Sequence, residues 1–492
     1  MALVQELREL TTKQVVRLGV LAAIFGLFLF FSLVSKGYLM DPDIWWHLKV
    51  GDWIVQHHAV PEVGILSRTA ADHQWVAYSW GFEVLLSRIY RWTGLVGFAY
   101  FAIILAQMVI AILFGTCYAL SGRFWRSSFL TLFGGLAYVY SLYPRPVFFS
   151  MILFTLMLYM ILQAQRSGRI QPLYWFPLLF LIWANLHIQF IYGLATFGLF
   201  IVVEMSLRLA ARMHWNLDSV QPASLPLSQL MGILAACFAT SCIGPYSYRL
   251  FVVVVKYSKA TQTYSVIQEL QSPSFTGFTY YMFLFLILGA FYAVGWRKKI
   301  DLFRLSLLLV ATVCSFRTVR DAWFPIIPAA LFLADFPLKE EGREERVSKQ
   351  GFCVFASVMV VLTFLLGSNM AFNERGIDFL VSQEYPVDAS NFVRQTRPPG
   401  PLYNDFNWGG FLTWYLPDYP VVVDGRNDLY GDEFVARHIM FSVGDKTEGD
   451  PRLDEAGVVM LPKETPLAKL MKRDTRFRLV FEDRLADVFY KN

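Results

Sequence analysis

The sequence has few charged residues for its length. Of its 492 residues, 16% are Asp, Glu, Lys or Arg and 56% are hydrophobic, whereas an ordinary soluble domain carries about 25% charged residues. This shortage argues against a soluble globular chain and predicts a protein that needs lipid as part of its solvent. The formal net charge is only +5. We assign that charge to anchors at the ends of membrane spans, and we predict no nucleic-acid partner.

Cysteine is also scarce. All five cysteines fall within or beside apolar runs, and none lies beyond residue 370. Structural disulfides and a cysteine zinc site are therefore not expected. The first apolar run is followed by Ser-Lys-Gly-Tyr and not by a small-x-small cleavage site, so we expect it to remain as a membrane span.

Long apolar runs dominate the first three quarters of the chain. A helix needs about 20 apolar residues to cross a hydrocarbon core of about 30 Å, and shorter runs can recruit flanking aromatic residues. We predict a polytopic α-helical membrane protein with about 11 transmembrane helices. The runs lie near residues 18–34, 96–120, 129–140, 147–162, 173–185, 190–203, 230–243, 280–294, 305–315, 323–333 and 352–366.

Cationic residues alternate between rich and poor loops along the chain. Short loops rich in Lys and Arg stay on the cytoplasmic side. The rich segments hold Arg8, Lys13, Arg17, Arg123, Arg126, Arg166, Arg169, Arg208, Arg212, Arg297, Lys298, Lys299 and the charged hairpin 339–349. We therefore predict an integral protein of the bacterial inner (cytoplasmic) membrane, with a cytoplasmic N-terminus and an extracytoplasmic C-terminal domain.

The tail returns to an ordinary polar composition. We predict a transmembrane domain over residues 1–370, which includes a first extracytoplasmic loop at 35–94, and an extracytoplasmic α/β domain over 371–492. Helix-like and strand-like patterns alternate in the tail. Helices are predicted at 389–394, 432–440 and 466–472, and strands at 401–404, 421–423, 457–461, 477–482 and 485–490.

The start of the first loop reads Asp-Pro-Asp-Ile-Trp-Trp-His over residues 41–47. Proline is tolerated at a helix start, so we predict a helix along the membrane surface, with Asp43 and His47 one turn apart on one face. Paired carboxylates beside a histidine can take a proton from a hydroxyl or hold a divalent metal against a phosphate. Alternatively, Asp41 and Asp43 only cap the helix. The Trp45-Trp46 pair is typical of interfacial anchors, and ligand stacking is the second interpretation.

The order of these features resembles the GT-C superfamily of membrane glycosyltransferases. The similar fragments are the first loop itself, Trp-Val-Ala-Tyr-Ser-Trp-Gly-Phe-Glu at 75–83, Trp-Ala-Asn-Leu-His at 183–187, Gly-Pro-Tyr at 244–246, Arg-Thr-Val-Arg-Asp-Ala-Trp-Phe at 317–324, Asn-Trp-Gly-Gly at 407–410 and Asp-Gly-Arg-Asn-Asp-Leu-Tyr at 424–430. The most similar group is the bacterial family 39-like proteins, which include protein mannosyltransferases and aminoarabinose transferases.

The resemblance implies transfer of a sugar from a polyprenyl-phosphate donor to a glycan, lipid or protein acceptor at the extracytoplasmic membrane face. It also implies a base in the first loop, for which Asp43 is the best match, with Asp41 as the second carboxylate and His47 beside them. The Asp-Pro-Asp spacing departs from the adjacent Asp-Glu pair of the mannosyltransferases. No cofactor is certain, and a divalent metal at Asp41 and Asp43 is left open.

A polyprenyl-phosphate leaving group needs stabilisation by cationic side chains. The donor phosphate-binding candidates are Arg145, His187, Arg249, Arg317 and Arg320. If their segment is helical, the i,i+3 spacing aims Arg317 and Arg320 at one spot. Alternatively, these two arginines bind lipid headgroups or pair with Asp321, and His187 forms an interhelical hydrogen bond.

In the tail, Trp408, Asp424 and Arg426 form acceptor-binding candidates. Their blocks resemble the acceptor-reading domain of oligosaccharyltransferase catalytic subunits, although turn chemistry explains the same residues. Resemblance of fold does not exclude a different role. The alternative function is a non-catalytic membrane subunit of a polysaccharide or glycoconjugate assembly or export system. A channel or transporter is disfavoured because charges cluster at span ends.

Overall fold

The structure is a computed structural model that describes residues 12–34, 41–138, 145–222, 224–337, 359, 361–363, 365, 373–444 and 449–492. In chain order its helices are α1 Thr12–Val34, α2 Asp43–His57, α3 Trp80–Ser121, α4 Phe124–Tyr138, α5 Val147–Ser167, α6 Phe176–Leu186, α7 Phe190–Arg212, α8 Leu227–Ser241, α9 Arg249–Lys259, α10 Thr263–Val266, α11 Phe278–Gly295, α12 Leu302–Arg317, α13 Trp323–Ala334, α14 Glu374–Glu384, α15 Val387–Thr396, α16 Phe406–Tyr415, α17 Asn427–Tyr430, α18 Asp432–Ser442, α19 Pro451–Glu455 and α20 Pro466–Met471. The strands are β1 Leu402–Asn404, β2 Val458–Pro462, β3 Phe477–Glu482 and β4 Ala486–Lys491. Short 3-10 helices occur at Gln171–Trp175, Gln268–Leu270 and Val319–Asp321.

Five of these helices, α1, α3, α5, α7 and α11, are long and apolar enough to cross a membrane. The chain is therefore an integral, mainly helical membrane protein. The shorter apolar helices α4, α6, α8, α12 and α13 coincide with predicted spans but have only 11 to 16 residues. At 1.5 Å per residue, even the longest of them falls short of a core of about 30 Å. The count of eleven stays a prediction, and its last span, 352–366, falls mostly outside the described residues.

The chain divides into two compact units, each built from three separate segments. Unit 1 comprises Met1–Lys36, Ala102–Ile243 and Ser272–Met370, and unit 2 comprises Gly37–Phe101, Gly244–Gln271 and Ala371–Asn492. The predicted boundary after residue 370 is one of these limits. The first loop, however, groups with the tail and not with the spans. The predicted domain division stays a prediction, and the two units are described separately below.

Unit 1 is a helical body with an aromatic interior. The ring of Phe154 packs edge-on against Trp323 and Phe324, with centroid separations of 5.4 Å in both pairs. At one end of the unit, Asp335 pairs with Arg166, Arg297 and Arg304. The loops that carry Arg166 and Arg297 are both predicted to be cytoplasmic. Because Arg166 and Arg297 both pair with Asp335, the two loops lie at the same end of unit 1, as the prediction requires. The membrane face at which this end lies stays a prediction.

Unit 2 contains a four-stranded sheet with the order β1-β2-β4-β3. Strand β1 pairs in parallel with β2, and β4 runs antiparallel to both β2 and β3. Four of the five predicted tail strands lie in this sheet, and the three predicted tail helices appear as α15, α18 and α20. The prediction of a strand at 421–423 is wrong. There, Val421 forms only an isolated bridge with Ser67 of the first loop. In this bridge, the Val421 carbonyl accepts the backbone N–H of Arg68.

The three segments of unit 2 are held together by hydrogen bonds. From the first loop, the backbone N–H of Arg68 donates to the Val421 carbonyl over 2.9 Å. At the start of α18, the Asp432 carboxylate accepts from the backbone N–H groups of residues 261, 262 and 263, each over 2.8 Å. A loop that satisfies its backbone in this way becomes part of the folded unit. These contacts explain why the first loop groups with the tail.

Candidate functional site

The two aspartates at the start of α2 have different tasks. Asp41 is 2% exposed, and its Oδ1 accepts the backbone N–H of Asp43 over 3.1 Å. This bond satisfies the backbone N–H of the first helical residue, although the N-cap position is Pro42, which makes no side-chain cap. Asp43 is half-buried, and its Oδ1 accepts from the indole Nε1 of Trp46 over 3.1 Å. Asp41 therefore stabilises the start of the helix from the residue before its N-cap, while the half-buried Asp43 is held by Trp46.

Two glycines of the tail allow the chain to approach this helix closely. A Cβ atom added to Gly425 would lie 1.8 Å from Oδ1 of Asp43, and one added to Gly410 would lie 2.2 Å from the carbonyl oxygen of Pro42. Any larger residue would collide at both places. From the sequence, these glycines are interpreted as turn residues or as parts of acceptor-binding motifs, and their packing role is not evident. The glycines lie next to Trp408 and Asp424 in the sequence, which is the only local indication of a role. The start of α2, which they contact, is over 360 residues away in the sequence.

His47 lies behind Asp43 in a buried pair. It is 5% exposed, and its Nδ1 is 3.1 Å from Oε1 of Glu83, which is 1% exposed. The imidazole also stacks on Trp46 with a centroid separation of 3.6 Å. The structure thus places His47 next to the residue that holds Asp43. Its predicted catalytic role stays a prediction, and the geometry gives it a positioning role. The acidic partner Glu83 lies 36 residues further along the chain.

The Trp45-Trp46 pair is buried, which corrects the interpretation of these residues as interfacial anchors. Trp45 is fully buried, and its ring packs 4.7 Å from Trp414 and 5.4 Å from Phe411. The covering residues belong to α16 of the same unit. A sequence pattern cannot show that a distant helix covers an aromatic pair, and interfacial anchoring was the default expectation.

Asp424 and Arg426 form a buried ion pair. Both side chains are fully buried, and Nε and Nη2 of Arg426 each donate to the carboxylate over 2.7 to 3.1 Å. The remaining Nη1 donates to the Ile65 carbonyl over 2.8 Å. Burial alone would lower the pKa of Arg426, but the Asp424 carboxylate raises it, so the guanidinium stays charged. Through Arg426, the ion pair links the tail to the first loop. The predicted acceptor-binding role of Asp424 and Arg426 stays a prediction.

A second acidic residue of the same turn contacts the first loop. Oδ2 of Asp428 accepts from the Trp75 indole over 3.1 Å, and its Oδ1 accepts from the Tyr257 hydroxyl over 3.4 Å. Burial raises the pKa of Asp428 to about 6, although these hydrogen bonds act against the rise. The Arg426 guanidinium lies 5.0 Å from the Trp75 ring centroid. The Arg426 guanidinium over the Trp75 ring thus links the contacts of Asp424 and Asp428.

Trp408, the third acceptor-binding candidate, lies in the first turn of α16. Helix α16 begins after Asp405, whose Oδ1 accepts the backbone N–H of Asn407 over 2.9 Å. Trp408 itself is 6% exposed, and it is followed by the two glycines at 409 and 410. The side chain is therefore mostly enclosed within unit 2, and a role in acceptor binding stays a prediction.

In unit 1, His187 lies in the short connection between α6 and α7. Its Nδ1 is 2.7 Å from Oγ of Ser150, which also accepts from the Trp183 indole over 2.7 Å. Burial, together with the nearby Arg320, lowers the pKa of His187 well below its ordinary value. The ring is therefore neutral near pH 7. This geometry fits the interhelical hydrogen bond that we considered as the alternative to phosphate binding.

Arg317 and Arg320 do not share one helix turn, because α12 ends at Arg317 and Thr318 is extended, with φ −150° and ψ 134°. The helical condition for aiming both at one spot is therefore not met. Both guanidinium groups nevertheless act on Asp321, since each lowers its pKa against the larger effect of burial, which raises it. Asp321 accepts from Gln189 over 3.1 Å and from Tyr192 over 2.7 Å. The structure thus groups Arg317, Arg320 and the loop of His187 around one carboxylate.

The two remaining basic candidates lie in different units. Arg145, in unit 1, is half-buried and directly precedes Pro146 at the start of α5. Arg249, in unit 2, is the first residue of α9, and its guanidinium lies 5.9 Å from the Tyr246 ring centroid. The Tyr246 hydroxyl donates to the Pro61 carbonyl over 2.6 Å. Phosphate binding by either arginine stays a prediction.

Among the described residues, no third protein ligand lies with Asp41 and Asp43 to complete a metal site. Within the part of the chain that the structure describes, no group of three or more His, Cys, Asp or Glu side chains could hold a metal ion. One oxygen of each aspartate already accepts a hydrogen bond from an N–H group. We therefore derive no step through a metal.

No protein-family model and no curated protein sequence matches the chain. Among solved structures, it is similar to the oligosaccharyltransferase of Archaeoglobus fulgidus tethered to an acceptor peptide, with 10% identity and a TM-score of 0.48. It is also similar to the archaeal oligosaccharyltransferase AglB of that organism in complex with an inhibitory peptide and a dolichol-phosphate, with 8% identity and a TM-score of 0.49. Each match covers 90% of this chain and 69% of the other.

Proposed function

We propose that this chain is a glycosyltransferase that moves a sugar from a polyprenyl-phosphate carrier to an acceptor at the extracytoplasmic membrane face. The observation that carries the proposal is the setting of Asp43. Its carboxylate is half-buried, held by the Trp46 indole and packed against Gly425. The start of the helix does not require these restraints, because Asp41 already accepts the N–H of the first helical residue. A positioned, accessible carboxylate is what a general base requires.

In the proposed reaction, Asp43 removes the proton from an acceptor hydroxyl. The hydroxyl oxygen forms a bond to the anomeric carbon of the sugar, and the bond from that carbon to the phosphate oxygen breaks. The polyprenyl phosphate leaves with the electron pair, and attack opposite to it inverts the anomeric centre. A carboxylate with an ordinary pKa near 4 is ionised at pH 7 and ready to accept the proton.

Asp43 is kept in place by the residues behind it. The chain of contacts runs from its Oδ1 to the Trp46 indole, from that ring to His47, and from His47 to Glu83. Each member after Asp43 is buried, so water does not compete for these contacts. A base that is held by packed neighbours loses little freedom when the acceptor binds. We assign Trp46, His47 and Glu83 to positioning, and only Asp43 to proton transfer.

We assign the carrier phosphate to the cationic residues of unit 1, with Arg320 and Arg317 as its main ligands. Negative charge builds up on the phosphate as the sugar leaves, and guanidinium groups stabilise such charge through short, charge-assisted hydrogen bonds. The neutral His187 would contribute a hydrogen bond and no charge. Five helices are long and apolar enough to cross a membrane, and the lipid around them can hold a polyprenyl chain. The bacterial inner membrane is also part of the proposal, and the sugar and the acceptor class are to be identified by the assay below.

The test replaces Asp43 with Asn, which keeps the size and leaves Oδ1 able to accept from Trp46. Loss of a positioned base costs on the order of 100-fold to 10,000-fold in rate, whereas one altered hydrogen bond costs about 1 kcal/mol in stability. The assay is sugar transfer or sugar loss by purified protein with a panel of polyprenyl-phosphate sugars. We expect turnover to collapse while the melting temperature stays near that of the parent.

Two matched variants serve as controls. Asp52→Asn makes the same change on the same helix, where the carboxylate pairs with Arg91, and a surface pair contributes at most about 1 kcal/mol. Asp41→Asn keeps the capping oxygen and should show a smaller defect than Asp43→Asn. If Asp43→Asn transfers sugar at the parental rate, the proposed mechanism is wrong. If the parent protein neither transfers nor releases sugar from any donor of the panel, the non-catalytic membrane subunit becomes the better explanation.

A further inference from the structure

Unit 2 contains a pocket that shares no residue with the site around Asp43. Its volume is about 650 Å³, and it is lined at one edge of the sheet by Arg68, Arg394, Arg397, Pro398, Gly400, Pro401, Leu402, Leu416, Asp418, Tyr419 and Pro420. Small-molecule sites typically measure about 300–1,000 Å³. The pocket is therefore large enough for a small organic ligand, and none of the predicted site residues lines it.

Three arginines give this pocket an excess of positive charge over its one carboxylate. Arg397 is exposed, and no hydrogen bond or ion pair joins its guanidinium to another described residue. For Arg68, Nη2 pairs with Glu455, whereas Nη1 is buried without a hydrogen-bond partner among the described residues. Burying an unsatisfied guanidinium nitrogen is costly unless an acceptor arrives. Two of the three arginines thus have donors to offer an anionic group.

The backbone of Arg397 adds a second argument. It follows α15 with φ 46° and ψ 50°, in the left-handed conformation that ends a helix. Glycine or asparagine usually takes this position, because a larger residue is strained there. An arginine at this position places a long cationic side chain at the pocket at some cost in backbone energy. Arg394, one helix turn before it, is fixed over the Tyr415 ring at 4.6 Å.

The other walls of the pocket include three prolines, a tyrosine and an aspartate. Pro398, Pro401 and Pro420 supply ring faces, and the Tyr419 hydroxyl donates to the Pro398 carbonyl over 2.7 Å, which fixes the tyrosine ring. Rigid rings of this kind match the apolar C–H face of a sugar ring. Asp418, which is exposed, can accept hydrogen bonds from hydroxyl groups. The pocket thus combines donors for an acidic group, an acceptor for hydroxyls and flat apolar surfaces.

We propose that this pocket binds an anionic saccharide of about two sugar units, with its acidic group between Arg68 and Arg397. Guanidinium groups match the planar geometry of a carboxylate and can bind it with two parallel hydrogen bonds. The sugar face lies on the proline and tyrosine rings, and ring hydroxyls donate to Asp418. The site stands apart from the proposed transfer reaction, since its binding requires neither Asp43 nor a donor.

The test is isothermal titration of the purified full-length protein with digalacturonate as the probe. Maltose provides an uncharged disaccharide of similar size, and inorganic phosphate provides the anion alone. We expect digalacturonate to bind, and to bind more tightly than either of the other two. Equal binding of maltose would refute the role of the arginines. Equal binding of phosphate would refute the saccharide and leave only an anion site, and absence of digalacturonate binding would overturn the proposal.

The variants locate the site. Arg397→Gln should weaken digalacturonate binding by about tenfold or more, because one charge-assisted pair is lost, and Arg397→Lys should restore only part of it. Arg68→Gln tests the opposite wall. The matched control is Arg437→Gln, an exposed arginine that pairs with Glu433 and does not line the pocket. Affinity that is unchanged in both Arg397→Gln and Arg68→Gln, in protein that melts like the parent, would place the ligand elsewhere.

Discussion

Replacing Gly425 with Ala tests the position of Asp43 without changing its chemistry. The added Cβ would lie 1.8 Å from Oδ1 of Asp43 and 3.2 Å from Nε1 of Trp46. Separations under 3.0 Å are essentially never seen for real Cβ atoms, so the carboxylate has to retreat by more than about 1 Å or turn away. A misplacement of about 1 Å near a reacting centre can cost on the order of 100-fold in rate. We therefore expect Gly425→Ala to lose about 100-fold in sugar transfer.

The cost to stability should be small in comparison. The colliding atom is the end of a side chain on the half-buried Asp43, which can swing aside, and alanine reduces the freedom of the unfolded chain. Gly409 offers the contrast, because a Cβ there would lie 1.9 Å from the Val423 carbonyl oxygen, which belongs to the backbone. Gly409→Ala should therefore lower the melting temperature clearly. Gly449→Ala is the matched control, since no atom lies within 4 Å of its added Cβ.

The assay measures initial transfer rates and melting temperatures for the three alanine variants and the parent in the same detergent. The expected pattern is a slow but stable Gly425→Ala, an unstable Gly409→Ala and an unchanged Gly449→Ala. Parental rates in Gly425→Ala would refute the reasoning, because the carboxylate could then move by more than about 1 Å without effect. A loss of stability equal to that of Gly409→Ala would show that the contact serves folding and not the placement of a base.

Three further predictions follow from the fold and the charges. A reporter fused after Tyr490 should behave as extracytoplasmic, and cytoplasmic labelling would remove the model of eleven spans. Arg320→Gln and Arg317→Gln should each weaken donor binding with little change in melting temperature, with partial rescue by Lys, and unchanged affinity in both would assign these residues to headgroup anchoring. Asp428 has a pKa of about 6 in the folded protein and near 3.9 when unfolded, so the folded state holds the proton more tightly. Stability should therefore fall as the pH rises from about 4 to about 6, and Asp428→Asn should remove that part of the pH dependence of the melting temperature. An identical pH dependence in the variant would exclude Asp428 as its source.

The fold class could be predicted because it depends on local composition. Runs of apolar residues identify helices that can cross a membrane, and the period of the tail separates the helices α15, α18 and α20 from the strands of the sheet. The helix α16 was missed because its sequence, Phe-Asn-Trp-Gly-Gly, carries two glycines, which are poor helix formers. Those glycines are explained by contacts with Pro42 and Val423, which lie outside the local window.

The site was predictable only where one segment supplies the whole pattern. The carboxylate pair at 41 and 43 could be proposed from the sequence because both residues lie within one short segment at the start of α2. The partner of His47 was not, because Glu83 is 36 residues away. For Arg317 and Arg320 the i,i+3 rule failed, because the chain leaves the helix at Thr318. Spacing rules hold within one element and give no information across its end.

The choice between capping and catalysis, which the first loop left open, depends on how the structure divides the work of the two aspartates. One acidic residue is enough to stabilise the start of a helix, and Asp41 accepts the backbone N–H of the first residue of α2. The position of Asp43 is restrained on two sides, by Trp46 and by a glycine at 425 that leaves room for its carboxylate. Glycine costs about 0.5–1 kcal/mol relative to alanine in a regular segment, and a residue with no role beyond capping would not require that space. The restraint of the Asp43 carboxylate on these two sides is what supports the proposed enzyme over the non-catalytic subunit.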